Sequence, residues 1–126
     1  MTHILFICLG NICRSVAAEE IFRTKAMEAG LSADFSIDSA GLIDYHAGEL
    51  ADERMRSHAR RRGYELTHRS RPVTEADFGR FDRIVAMDTD NVRRLNRLTA
   101  DDEERKKVIY MADYLQKQEA DHIPDH

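Results

Sequence analysis

The chain reads as a single α/β domain, residues 1–126, built on a four-stranded parallel sheet with helices on both faces. Two observations predict this. Short apolar runs alternate with helical segments in the order strand, helix, strand, helix, strand, helix, strand, and such alternation calls for crossover helices and a parallel sheet. The first run, Ile4-Leu5-Phe6-Ile7, is apolar without interruption, as a strand covered on both faces requires.

The elements follow in order. After the first strand comes Cys8-Leu9-Gly10-Asn11-Ile12-Cys13-Arg14-Ser15, then a helix over Val16–Ala29 with Ser15 as its N-cap, Glu19 and Glu20 in its first two turns and Gly30 as its stop. Phe35-Ser36-Ile37-Asp38-Ser39 alternates as a second strand, and residues 40–48 form a loop. Ala51–Arg62 is a second helix ended by Gly63, with Met55 and Ala59 on one face and arginines on the other. Thr74-Glu75-Ala76-Asp77 has the spacing of a capping box and opens a short helix. Ile84-Val85-Ala86-Met87 is the third strand, Val92, Leu95 and Leu98 mark the third main helix, and Val108-Ile109-Tyr110-Met111 is the fourth strand. The last 15 residues are polar and poorly periodic, so the helix that usually closes a doubly wound (flavodoxin-like or Rossmann-like) domain is expected to be missing.

Composition narrows the function. Hydrophobic residues at 42% and charged residues at 33% describe a globular chain with one core. A net charge of −4 gives no general pull toward nucleic acid or anionic membrane. No apolar run is long enough to span a bilayer, and the opening residues lack the basic and small-residue features of a signal peptide. The cysteines are Cys8 and Cys13 alone, too few for a disulfide framework or a four-cysteine zinc site, so a cytoplasmic, reducing location is expected. The histidines show no metal-ligand spacing, and the seven arginines between Arg54 and Arg71 read as a solvated face rather than as a site for acidic partners.

The segment Cys8–Ser15 carries the chemistry. It joins the carboxyl end of a strand to a helix N-terminus, where open α/β sheets bind ligands and where N–H groups and the helix dipole favour an anion. It lacks the GxxxxGK[ST] lysine of a nucleotide loop. Its five residues between Cys8 and Arg14 can curl into a nest of N–H groups around a tetrahedral dianion. Arg14 then grips two oxygens bidentately, and Cys8 stands where it can attack phosphorus, the donors that hold phosphate also favouring a thiolate. Gly10 and Asn11 tolerate the left-handed backbone such a curl demands. The plain alternative is a small buried residue at Cys8 and a surface cation at Arg14.

The full string Cys-Leu-Gly-Asn-Ile-Cys-Arg-Ser resembles the signature of the low-molecular-weight protein tyrosine phosphatases. The likeness extends through Asp38-Ser39-Ala40-Gly41, His68-Arg69-Ser70-Arg71, Thr74, Asp77-Phe78, Phe81-Asp82, Ala86-Met87-Asp88, Asn91 and Leu95. It implies hydrolysis of phosphotyrosine in proteins or peptides through a phosphocysteine on Cys8, by a monomer that needs no cofactor and no metal. Arg14 and the loop of Leu9, Gly10, Asn11, Ile12, Cys13 and Ser15 bind the phosphoryl group, and Ser15 donates to the Cys8 sulfur. Ser39 and His68 match the residues that hold the loop asparagine, and Tyr45 matches an aromatic wall for the substrate ring. Cys13 matches a cysteine that forms a reversible disulfide with the nucleophile, although a packing thiol fits it as well.

The resemblance places the general acid at Asp125, in Ile123-Pro124-Asp125. His126 stands where the family has proline, and Val16 stands where proline commonly follows the serine. Other readings remain. A phosphate-binding or substrate-trapping module with weak turnover shares the loop. An arsenate reductase of this fold would use further cysteines, and none follows Cys13; another redox protein would use Cys8 and Cys13, which lie in one loop without a Cys-x-x-Cys motif. Arginine phosphatases of this fold carry threonine where this chain has Ile12. The resemblance also leaves export without a signal open.

Overall fold

The computed structural model describes residues 1–111 except Ile12 and Asp44. Strand β1 spans Thr2–Cys8, helix α1 Arg14–Glu28, β2 Phe35–Gly41, α2 Glu53–Arg61, α3 Glu75–Arg80, β3 Arg83–Ala86, α4 Thr89–Leu98, α5 Asp102–Arg105 and β4 Val108–Tyr110. The four strands form one sheet in the order β2-β1-β3-β4 with every pairing parallel. The α/β class and the four parallel strands are as the sequence predicts. A 3-10 turn at Ser32–Asp34 and the short α5 are additional. The expectation of a missing final helix falls on residues 112–126, outside the described residues.

Alternation along β1 explains its unbroken apolar run. Leu5 and Ile7 face one side and pack with Ile84, Phe78, Phe81 and Leu95, beneath α3 and α4. Ile4 and Phe6 face the other, with Val85 and with Ala18 and Phe22 of α1. Fully burying a side chain such as Leu5 or Ile84 contributes about 1.5–3 kcal/mol. A third cluster of Val16, Ala51 and Leu66 seats α2, through Met55 and Ala59, against the start of α1.

Strand order fixes where a ligand can sit. The chain leaves β1 toward β2 on one side and leaves β3 toward β4 on the other, so the carboxyl ends of β1 and β3 flank a topological switch point. The Cys8–Ser15 loop grows from the first of these ends, and Asp88, the N-cap of α4, from the second.

Two helix starts differ from expectation. Helix α1 begins at Arg14 with Cys13 at its N-cap position and no side-chain cap; the Ser15 hydroxyl is bonded to the Cys8 sulfur instead. Helix α2 starts two residues late because Asp52 caps it, accepting from the N–H groups of Arg54 and Met55. The capping box forms as the spacing requires, Thr74 and Asp77 bonding reciprocally. No helix among the described residues is long and apolar enough to cross a membrane.

Candidate active site

Cys8 ends β1 with its side chain buried. Beyond it the chain turns sharply and its carbonyls are drawn outward. Leu42 N–H donates to the Cys8 and Leu9 carbonyls at 3.1 and 2.9 Å, Ile43 N–H to Leu9 at 3.1 Å, and the Ser70 hydroxyl to the Gly10 carbonyl at 2.7 Å. In a trans peptide the C=O and the following N–H point in opposite directions. Carbonyls held outward at residues 8, 9 and 10 therefore aim the next N–H groups into the loop.

Asn11 sits at φ 57°, a left-handed conformation that costs a non-glycine residue roughly 1–2 kcal/mol. Three hydrogen bonds hold it there. Its Oδ1 accepts from Arg71 N–H at 3.0 Å and faces His68 Nε2 at 2.9 Å, and its Nδ2 donates to Ser15 Oγ at 2.9 Å. Ser15 Oγ lies 2.9 Å from Cys8 Sγ. The Ser15 oxygen accepts from Asn11, so its own hydrogen is free for sulfur, and with Cys8 as a thiolate the hydroxyl is the donor of this pair.

His68 and Ser39 belong to one cluster, wired differently from the sequence expectation. His68 reaches Asn11, as expected of it. The Ser39 hydroxyl donates to Glu19 Oε1 at 2.5 Å rather than to Asn11. Glu19, only 3% exposed, also pairs with Arg23 and lies 3.3 Å from His68 Nδ1, with Asp38 at 3.4 Å from the same nitrogen. Glu19, Asp38 and His68 bring ligand-type atoms within 4.8 Å of one another. Guanidinium groups already lie on both carboxylates, Arg23 on Glu19 and Arg71 on Asp38, so the cluster is better suited to orient His68 than to take a cation. Glu19 reads from sequence as a helix-dipole residue; the signal of its other role is the i, i+4 spacing from Ser15, which puts both on the helix face toward the loop.

Arg14 projects into solvent at the loop's mouth, and its Nη2 donates to Asp88 Oδ2 at 3.0 Å. The Asn91 N–H, opposed by burial and helped by Arg14, holds the Asp88 carboxyl below the usual carboxylate range, so Asp88 stays charged. Cys13 behaves otherwise. Burial pushes its thiol above the ordinary range, the neighbouring Asp52 and Cys8 push it further, and Arg14 only partly opposes them. Both cysteines are free thiols. Leu9 and Tyr45 are exposed, Tyr45 to 81%, with its ring edge-on to His46 at 4.9 Å. Ile12 and Asp125 lie outside the described residues. An apolar groove of about 310 Å³ lined by Ile4, Phe6, Phe22, Arg83, Val85, Ile109 and Met111 lies on the sheet face beside α1 and shares no residue with this loop.

A buried thiol, a hydroxyl 2.9 Å from it, a loop with inward N–H groups and an arginine at the rim form a cradle for a tetrahedral oxyanion. The whole chain is similar to known proteins. The family profile described as low molecular weight phosphotyrosine protein phosphatase matches residues 3–126. A low molecular weight phosphotyrosine protein phosphatase of Schizosaccharomyces pombe is 41% identical over 113 residues, 89% of this chain and 72% of that protein. The crystal structure of a protein tyrosine phosphatase from Entamoeba histolytica, with Hepes in its active site, superposes with a TM-score of 0.87 at 41% identity, over 90% of this chain and 72% of the other. That of a Drosophila arginine phosphatase superposes with a TM-score of 0.85 at 30% identity, over 99% of this chain and 80% of the other. With the profile spanning nearly the whole sequence and the loop built as described, the chain belongs to the low molecular weight phosphotyrosine protein phosphatase family.

Proposed function

We propose that this protein hydrolyses phosphotyrosine in proteins or peptides, as a cytoplasmic monomer, through a phosphocysteine on Cys8. The single observation that carries the reading is the Ser15 Oγ to Cys8 Sγ contact of 2.9 Å at the floor of the loop. It supports the reading because a hydroxyl at this distance can donate to a thiolate both as it waits and as it leaves. In the first step the Cys8 sulfur attacks phosphorus while the P–O bond to tyrosine breaks. The phenolic oxygen takes a proton from a general acid, and the family resemblance assigns that acid to Asp125. Arg14 and the loop N–H groups hold the equatorial oxygens as charge builds on them. In the second step water attacks phosphorus, its proton passing to the same carboxylate, and the S–P bond breaks to return the thiolate and inorganic phosphate.

Steady-state hydrolysis of p-nitrophenyl phosphate and of a phosphotyrosine peptide tests this against Cys8→Ser, with a phosphoarginine peptide alongside. Turnover of the tyrosine substrates that vanishes in Cys8→Ser, with an acid-labile phosphoryl adduct on Cys8 after rapid quench, is the expected result. Tight vanadate binding without turnover would convert the reading to a phosphate-trapping module, and preference for phosphoarginine would move the substrate class.

A further inference from the structure

Arg71 closes an arginine-rich stretch and reads from sequence as a solvated charge. In the structure its guanidinium is half-buried and forked onto two carboxylates. Nε and Nη2 donate to Asp38 Oδ2 at 3.2 and 3.0 Å, and Nη1 and Nη2 donate to Asp77 at 3.0 and 3.1 Å. Asp38 lies in β2 and Asp77 in the first turn of α3, so one side chain ties together two elements and the segment that carries it. That segment, residues 68–73, lies against the Cys8 loop. Gly41 N–H donates to the Arg71 carbonyl at 2.8 Å and Val73 N–H to the Gly41 carbonyl at 2.7 Å. Three consecutive-side contacts then reach the loop: His68 Nε2 and Arg71 N–H on Asn11 Oδ1, and Ser70 Oγ on the Gly10 carbonyl.

We infer that Arg71 is a positioning residue for Cys8, its guanidinium fixing the 68–73 strap that sets the direction of the Ser15 hydroxyl. The chain of causes is short. The Arg71 N–H of the strap donates to Asn11 Oδ1 and so gives the amide one orientation, its NH2 end facing Ser15. Ser15 Oγ accepts there, which leaves its hydrogen for sulfur. An amide free to flip presents its oxygen to Ser15, draws that hydrogen off sulfur and leaves a thiolate without its donor. Lysine would keep the charge at Arg71 but could not fork onto both carboxylates. The inference rests on the reading of Cys8 as the nucleophile, so its test includes a measurement that needs no turnover.

The experiment compares Arg71→Met, Arg71→Lys and the remote core variant Ile84→Val in the full chain. It measures kcat and KM for p-nitrophenyl phosphate, and the rate of Cys8 alkylation by iodoacetamide at pH 6, read by mass spectrometry of the Cys8 peptide. Arg71→Met should lower kcat about tenfold with a smaller change in KM, the scale expected of a sub-ångström misplacement. It should slow Cys8 alkylation in the same direction. Arg71→Lys should fall between it and wild type, and Ile84→Val should lower Tm without either effect. Should Arg71→Met fail to fold, Asp77→Asn takes its place, with the same two effects in weaker form. Wild-type kcat and alkylation rate in a folded Arg71→Met, or in Asp77→Asn where that replaces it, would overturn the inference even if Tm dropped. A wild-type protein that does not hydrolyse the aryl phosphate sinks the phosphatase reading instead, and alkylation alone then decides Arg71 on the same terms.

Discussion

Gly41 offers a direct measurement of how tightly the phosphate loop is held. It pairs with Cys8 across the β1–β2 ladder, and a Cβ built on it would lie 2.9 Å from the Leu9 carbonyl oxygen, 3.0 Å from the Gly10 carbonyl carbon and 3.1 Å from Asn11 Cβ. The first two are backbone atoms that cannot swing aside. Ordinary contact begins near 3.4 Å, so Gly41→Ala must push the loop by roughly half an ångström. A misplacement of about 1 Å at a reacting centre costs on the order of a hundredfold in rate, so half that distance corresponds to about tenfold in kcat/KM, or ~1.4 kcal/mol. Overpacking costs about 1–3 kcal/mol in stability, a fall in Tm of several degrees for a domain of this size. Gly79 in α3 is the control, because a Cβ there meets nothing within 4 Å. Gly79→Ala should raise stability by about 0.5–1 kcal/mol through helix propensity alone and leave kcat/KM as in wild type. Thermal melts and aryl phosphate kinetics on both variants decide the matter. Wild-type kcat/KM and Tm in Gly41→Ala would refute the claim that the loop rests rigidly on the end of β2.

Three further outcomes are expected. Ser15→Ala removes the donor to Cys8 sulfur, a charge-assisted bond worth about 1.5–3 kcal/mol, so kcat should drop roughly 10–100-fold; a pre-steady-state burst would locate the loss in breakdown of the phosphocysteine, and an unchanged kcat would deny Ser15 its role. Asp77 fixes a pH dependence: burial pushes its carboxyl up, but the Arg71 and Thr74 hydrogen bonds outweigh this and hold it below the ordinary value. A depressed folded value contributes stability that is present above the unfolded pKa near ~3.9 and lost as pH falls through the folded one, so the stability gap between wild type and Asp77→Asn should narrow from pH 7 toward pH 3 in denaturant unfolding, and a constant gap would contradict it. Asp125→Asn should slow hydrolysis of aryl phosphates with poor leaving groups by about 10²–10⁴-fold while sparing activated ones; equal rates would take the general-acid assignment away from Asp125.

Sequence disclosed what local order determines. The Cys8–Ser15 loop, its strand before and helix after, the left-handed Asn11 and the Thr74–Asp77 capping box all depend on neighbours within a few residues. What it hid depends on partners far along the chain. Ser15 looks like a helix cap because serine at that position usually is one; its hydroxyl is claimed by Cys8, brought near by the curl between them. Arg71 looks like a surface charge because Asp38 is 33 residues away. Glu19 looks like a carboxylate serving the helix dipole, and only the packing of β2 and of the 68–73 segment against α1 reveals Ser39 and His68 beside it. Burial of such polar groups also blurs the apolar stripe of α1, since Ser15 and Glu19 occupy the covered side along with Val16.

The open position of the Arg14–Asp88 pair, whose side chains are 56% and 41% exposed, makes the guanidinium lightly moored. A pair so wet contributes at most about 1 kcal/mol, enough to narrow the wandering of a long side chain before an anion arrives and too little to hinder its turning toward one. Added salt thus acts twice, shielding the approaching dianion from the loop and casting the waiting arginine adrift.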